Sequence, residues 1–278
     1  MNLTNKLNLP QPIVDAVKND SYNDEGADIS VTGLLRPPRI RVLENSNKAE
    51  LTEDASDRIW ALLGQVIHGI LERASTTGTA ERRLFISVAG WKVSGSMDRY
   101  VDGTLQDYKF VTAYKLIRGV PEEYEQQLNC YAELLRQHKE PINKLELVCI
   151  LRDWSKTEAA KDFSYPQQQI MIVPVPLWSQ DKTINFIEER VATHQAAETN
   201  LPNCSKEERW AKDSVWATMK PGRASAVKLH KTEDEAKAHA ASIPTAYVDH
   251  RPGINMRCEY YCPVSKFCTQ YKKLKGDK

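Results

Sequence analysis

A chain of 278 residues, 41% hydrophobic and 27% charged, can bury one sizeable core with an appended subdomain. No apolar run reaches the ~18 residues of a membrane span and the N-terminus lacks an apolar signal core, so the expected place is the cytoplasm, with no membrane partner. The net charge of +1 exerts no global pull on nucleic acid, so such contact must come from local patches: residues 205–231 carry seven Lys/Arg against three Asp/Glu, and residues 256–278 six against two.

Residues 1–28 are polar without a period and read as a flexible leader; residues 29–200 form the core and 201–278 a C-terminal subdomain. Alternation in Ile29–Leu35 suggests a short strand or capped turn, and Pro37-Pro38 forbids a helix through them. Arg36, Arg39 and Arg41 follow, as phosphate contacts or as loose basic surface. Over 54–74, Trp60, Leu63, Ile67, Ile70 and Leu71 recur at helical spacing and predict an amphipathic helix. On its other edge Gly64, His68 and Glu72 are spaced by four and share a stripe, where a glycine admits another backbone and the two polar groups can enter a cleft.

Residues 83–89 read as a strand entering a hairpin whose turn is Asp102-Gly103, the strongest short signal for a two-residue connection. That register sets Asp98 opposite Asp107, where like charges repel unless a cation sits between them. Lys109, two residues on, points the same way, so two acids and one amine converge. A helix over 122–137 follows, with Tyr124, Leu128, Tyr131 and Leu135 as its buried stripe and Gln127 one turn before Tyr131. Strands over 144–152 and 169–175, with Cys149 an inert core residue, and a helix over 178–198 complete the core. The order is that of an α/β fold, a mixed central sheet flanked by helices.

Past residue 201 charge mixes with Trp210 and Trp216 around a short helix near 232–241. Cys258, Cys262 and Cys268 lie within eleven residues of one another, which in an intracellular chain argues for a metal rather than disulfides. A closed site needs a fourth thiolate. Cys204 opens the same region, whereas Cys130 and Cys149 lie in core elements; spacing alone leaves iron–sulfur and zinc both open.

Gly95-Ser96-Met97-Asp98 followed by Asp107-Tyr108-Lys109 resembles the PD-(D/E)XK nuclease superfamily. Gly64-x-x-x-His68-x-x-x-Glu72 and Gln127-x-x-x-Tyr131 resemble its RecB-like branch, as in phage-encoded exonucleases and the AddB and CRISPR-associated nucleases. The resemblance implies a restriction-endonuclease-like core with a C-terminal cysteine-ligated metal subdomain. It implies a Mg²⁺- or Mn²⁺-dependent deoxyribonuclease, an exonuclease acting on single strands or DNA ends in a bacterial or phage-infected cell. The alternative is a catalytically silent DNA-binding or assembly subunit. His68, Asp98, Asp107 and the Tyr108 carbonyl are the implied metal ligands, with Glu72 a candidate for a second ion. Lys109, its pKa lowered, is the implied water-orienting group, and Gln127 and Tyr131 position it. DNA and other recombination or replication proteins are the implied partners. Relatives with a C-terminal cysteine trio hold a 4Fe-4S cluster, which favours iron over zinc at Cys204, Cys258, Cys262 and Cys268. Those relatives begin the trio Cys-x-x-Cys and place the first cysteine before the core; here the spacing is Cys-x-x-x-Cys and no cysteine precedes Cys130.

Overall fold

Two tight turns set the central sheet. Ala89-Gly90 and Asp102-Gly103 all have positive φ, between 47° and 81°, the conformation that closes two-residue hairpins in step with strand twist. They join β4 (Thr79–Val88), β5 (Trp91–Val101) and β6 (Thr104–Val111) into an antiparallel meander. The computed structural model describes residues 2–19, 25–117 and 119–276.

The elements before the meander are β1 (Asn2–Thr4), α1 (Gln11–Lys18), β2 (Ile29–Ser30), α2 (Val31–Leu35), α3 (Pro38–Ser46), β3 (Thr52–Asp54) and α4 (Ile59–Ala74). After it come α5 (Ala113–Ile117), α6 (Glu122–Gln137), β7 (Lys144–Leu151), α7 (Lys156–Lys161), β8 (Ile170–Val175) and α8 (Gln180–Thr199). The main sheet runs β2-β5-β6-β7-β8, with β4 on the other edge of β5. Pairing of β6 with β7 and of β2 with β5 is parallel; β7 with β8 is antiparallel. The protein is thus mixed α/β, a mixed sheet flanked by helices.

β5 and β6 stay paired only from the turn to Arg99↔Gln106. Beyond that step β6 leaves, and β2 takes up the vacated edge of β5 at Val93 and Ser94. The strands therefore fork at Asp98 and Asp107. Helix α6 closes over this sheet through Leu128, Tyr131, Leu134 and Leu135, and α8 adds Ile187 and Val191. Gly95 admits α6: a Cβ there would lie 2.7 Å from the Tyr131 ring and 2.9 Å from Leu134.

Three expectations change. The leader is not featureless: β1 pairs in parallel with β3, and α1 follows, while residues 20–24 lie outside the described residues. Helix α4 forms but buries none of its residues, and Trp60, Leu63 and Ile70 are 58%, 39% and 51% exposed. Its period specifies a helix, but among the described residues no layer covers the side carrying those residues. Among the described residues Gly64 meets no backbone from another element, since none lies within 4 Å of where its Cβ would be.

The prolines do break the chain, and α3 starts at Pro38, where a missing N–H is tolerated. Arg39 is buried, and Arg41 is held inside the fold rather than offered to phosphate. Its Nε donates to His194 Nδ1 at 3.1 Å, and it pairs with Glu198 at 2.9 Å. His194 is fully buried, with Nε2 3.1 Å from the Leu34 carbonyl. Burial lowers its pKa to about 4, and the nearby Arg190 and Arg41 charges act in the same direction.

The chain divides into two units, Met1–Val42 with Lys48–Leu201, and Leu43–Asn47 with Pro202–Lys278. The second contains β9 (Ala211–Lys212), β10 (Val215–Met219), β11 (Lys228–His230), α9 (Glu233–Ala241), β12 (Tyr247–Arg251), β13 (Ile254–Asn255) and α10 (Thr269–Lys275). Its three-stranded sheet runs β11-β10-β12, and β13 pairs with β9. Among the described residues no helix is long and apolar enough to cross a membrane.

Candidate active site

At the fork, Asp98 replaces a missing ladder bond with its side chain: Oδ2 accepts the Tyr108 amide at 2.6 Å. Its Oδ1 lies 3.2 Å from His68 Nδ1, which α4 presents. The same imidazole nitrogen is 3.3 Å from Glu81 Oε1. Glu81 stands on β4 between the pairs Ala80↔Arg99 and Arg82↔Met97, hence across from Asp98, and its φ of 48° lifts it out of the ladder. Glu81, Asp98 and Asp107 therefore form a row across three neighbouring strands, one carboxylate on each.

Like charges at facing positions repel, and the protein groups around the row counter that repulsion. His68 is raised to about 10, first by its hydrogen bond to Asp98 and then by that to Glu81, so the imidazole is a cation between two carboxylates. Asp107, 2% exposed, is pushed up to about 6 by burial, with the Asp98 charge adding and Lys109 opposing. Lys109 Nζ lies 2.6 Å from Asp107 Oδ2. That close approach makes Lys109 the cation that answers the buried carboxylate.

Lys109 departs from expectation. Burial would lower its pKa, but the Asp107 charge and contact outweigh burial, so the net shift is upward and the amine stays charged. Gln127 and Tyr131 fix it in a relay: Lys109 Nζ donates to Gln127 Oε1 at 3.1 Å, and Gln127 Nε2 donates to Tyr131 Oη at 2.9 Å. Burial raises the Tyr131 pKa far above the neutral range, so it remains a phenol.

The ligand set also differs from the expected one. Among the described residues one group of three or more metal-type donors lies mutually within 4.8 Å, namely His68, Glu81 and Asp98. Asp107 is outside that group, turned to Lys109. Glu72 is exposed and outside it too. The Tyr108 amide faces Asp98, and since a strand residue's N–H and C=O point to one edge, its carbonyl faces the same fork. Glu81 was missed because the predicted strand began at residue 83. Extending the Ala89-Gly90 hairpin by two residues would have paired it with Asp98. The donor set of one imidazole and two carboxylates fits a divalent ion of the Mn²⁺ or Mg²⁺ kind.

In the second unit, Cys204 is tied to α10 through Gln270, which accepts from its amide and donates to its carbonyl, both at 2.8 Å. Cys258 and Cys262 are raised first by burial and further by neighbouring thiols, Cys268 acting on both. No three of these sulfurs lie mutually within 4.8 Å among the described residues. Four Zn–S bonds of ~2.3 Å would bring them to about 3.8 Å. Cys130 and Cys149 are buried, their thiols pushed up to about 12 and about 11, first by burial, and are inert.

No protein-family model matches the chain, and no curated protein matches it. Among solved structures it is similar to SSO0001, with a TM-score of 0.46 and 19% identity over 65% of this chain and 83% of that one. It is also similar to a Eubacterium rectale protein described as a candidate exonuclease, with a TM-score of 0.34 and 13% identity over 58% of this chain and 62% of that one. The chemistry of the site follows from its own residues.

Proposed function

We propose that the chain is a divalent-metal-dependent DNA nuclease of the PD-(D/E)XK type, RecB-like branch, acting as an exonuclease on single strands or DNA ends. The observation that carries this reading is the row of Glu81, Asp98 and Asp107, with His68 bridging one end and Lys109 set 2.6 Å from the other. Phosphodiester hydrolysis brings a polyanion to a water, which requires charge neutralisation at the phosphate and a held nucleophile. A Mg²⁺ or Mn²⁺ ion, when bound, supplies that neutralisation and an activated water.

The protein groups do the rest. Glu81, Asp98 and His68, the imidazole giving up its proton as the ion enters, would hold the ion, with the Tyr108 carbonyl facing the same fork. Lys109, kept charged, donates to a phosphate oxygen and orients the water; as a cation it is a poor base. Gln127 and Tyr131 are positioning residues that hold the amine in place. The four cysteines hold a 4Fe-4S cluster, iron being preferred to zinc because the nucleases that the C-terminal cysteine trio resembles hold such a cluster. The interior of a bacterial or phage-infected cell suits both reduced thiols and a DNA substrate, with recombination or replication proteins as further partners.

Incubating purified protein with labelled single- and double-stranded DNA, with Mn²⁺ or with chelator, tests the reading. Strand shortening that needs Mn²⁺ is expected. DNA bound but left intact under both conditions defeats it in favour of a silent binding subunit.

A further inference from the structure

The residues spaced by four along α4 extend back from the site: His68, then Gly64, then Trp60. Trp60 lies about 12 Å from His68 along the axis at ~1.5 Å per residue. It is 58% exposed, and the Arg152 guanidinium stacks 3.8 Å from its ring centroid. Arg152 follows β7, and its amide donates to the carbonyl of Val111, two residues past Lys109 on β6. The pair therefore sits where the parallel strands β6 and β7 end, the end at which open α/β sheets take ligands. Among the described residues Arg152 pairs with no carboxylate and is exposed.

Gly64 lies between this pair and His68. Glycine inside a helix costs about 1 kcal/mol relative to alanine, and among the described residues nothing beyond the adjoining helix backbone lies within 4 Å of its Cβ position. What the glycine leaves is a clear surface on α4 from the acid row to an aromatic ring backed by a cation.

We propose that Trp60 and Arg152 form a base-stacking subsite for a single strand of nucleic acid, which reaches the acid row across Gly64. The proposal rests on the nuclease reading for the identity of the strand. An indole offers a π-face to any base, a guanidinium plane stacks on bases and pairs with phosphate, and both tolerate all sequences. A duplex keeps its bases internally stacked and cannot use the indole in this way.

The test is fluorescence anisotropy of the full chain with labelled oligothymidylate and with a blunt duplex, in chelator so that nothing is cut. Trp60→Ala is expected to weaken single-strand binding roughly 5- to 100-fold, Trp60→Phe to restore most of it, and duplex binding to change little. Equal binding by Trp60→Ala and wild type overturns the subsite and leaves the exposed ring to a protein partner. An equal loss for duplex overturns it as well. Should Trp60→Ala melt early, Arg152→Ala and Gly64→Phe, both at open positions, decide instead: weaker single-strand binding supports the subsite, and unchanged affinity in both overturns it. Cleavage by wild type with Mn²⁺ is read in parallel. Trp60-dependent binding without cleavage defeats the nuclease reading alone, whereas cleavage with Trp60-independent binding defeats the subsite alone.

Discussion

In the first unit the donors of the acid row already stand at contact distance, with His68 3.2 Å from Asp98 and 3.3 Å from Glu81. In the second unit no three of the cysteine sulfurs come within 4.8 Å of one another among the described residues. The difference lies in what positions each set. Two hairpin ladders and a helix place the acids, so their spacing follows from backbone pairing. Cys258 lies in an irregular helical turn over Arg257–Tyr261 and Cys262 and Cys268 flank a short turn, where no ladder sets a distance. Backbone pairing preorganises the first set of donors, whereas no ladder fixes the spacing of the second.

If the acid row is preorganised, one substitution should remove activity while sparing the scaffold. Asp107→Asn is expected to lower Mn²⁺-dependent cleavage on the order of 10³-fold; the fold survives, but stability falls by on the order of 3 kcal/mol because the buried Lys109 amine loses its charge partner. Full cleavage by purified Asp107→Asn protein would end the assignment.

The cysteine region should behave in the opposite way. Cys262→Ala is expected to lose iron and the broad visible absorption of anaerobically purified protein, and to destabilise the second unit by on the order of several kcal/mol. A colourless, zinc-containing wild-type sample overturns the cluster.

The scaffold of the first unit can be probed by pH. The His194 pKa is about 4 in the fold against an ordinary 6.5, so the unfolded chain takes up the proton first. The His194 contribution to stability should therefore be constant above pH 6.5 and fall by about 3 kcal/mol as pH drops toward 4. Urea titrations of wild type and His194→Gln measure this, and equal slopes for the two proteins would remove the buried imidazole from the account.

Gly95→Ala should cost about 1–3 kcal/mol by the same titration, as Tyr131 and Leu134 are forced back from the added methyl. A neutral result would mean α6 gives way easily and the Lys109 relay is looser than its distances indicate. Smallest is the effect that separates the two glutamates. Glu81→Gln should weaken Mn²⁺ binding roughly 10-fold by calorimetry, and Glu72→Gln should leave it alone; the reverse result would restore Glu72 as the ligand.

Much of this was legible in residue order. The Asp102-Gly103 turn places Asp98 across from Asp107 because a two-residue connection leaves one register, and Gln127 reaches Tyr131 because helix positions four apart are neighbours. The core elements follow from periods of two and 3.6. What no local pattern carries is which side of an element is covered. The apolar stripe of α4 promised burial for Trp60 and Ile70, but no layer packs there. The aperiodic leader holds β1 only because β3, almost fifty residues on, supplies its ladder. Likewise the upward shift of Lys109 and the entry of Glu81 into the donor set were settled in three dimensions. Local sequence sets turns and periods through short-range backbone sterics. Burial, and with it the charge state of every buried group, is decided by chain segments distant in sequence.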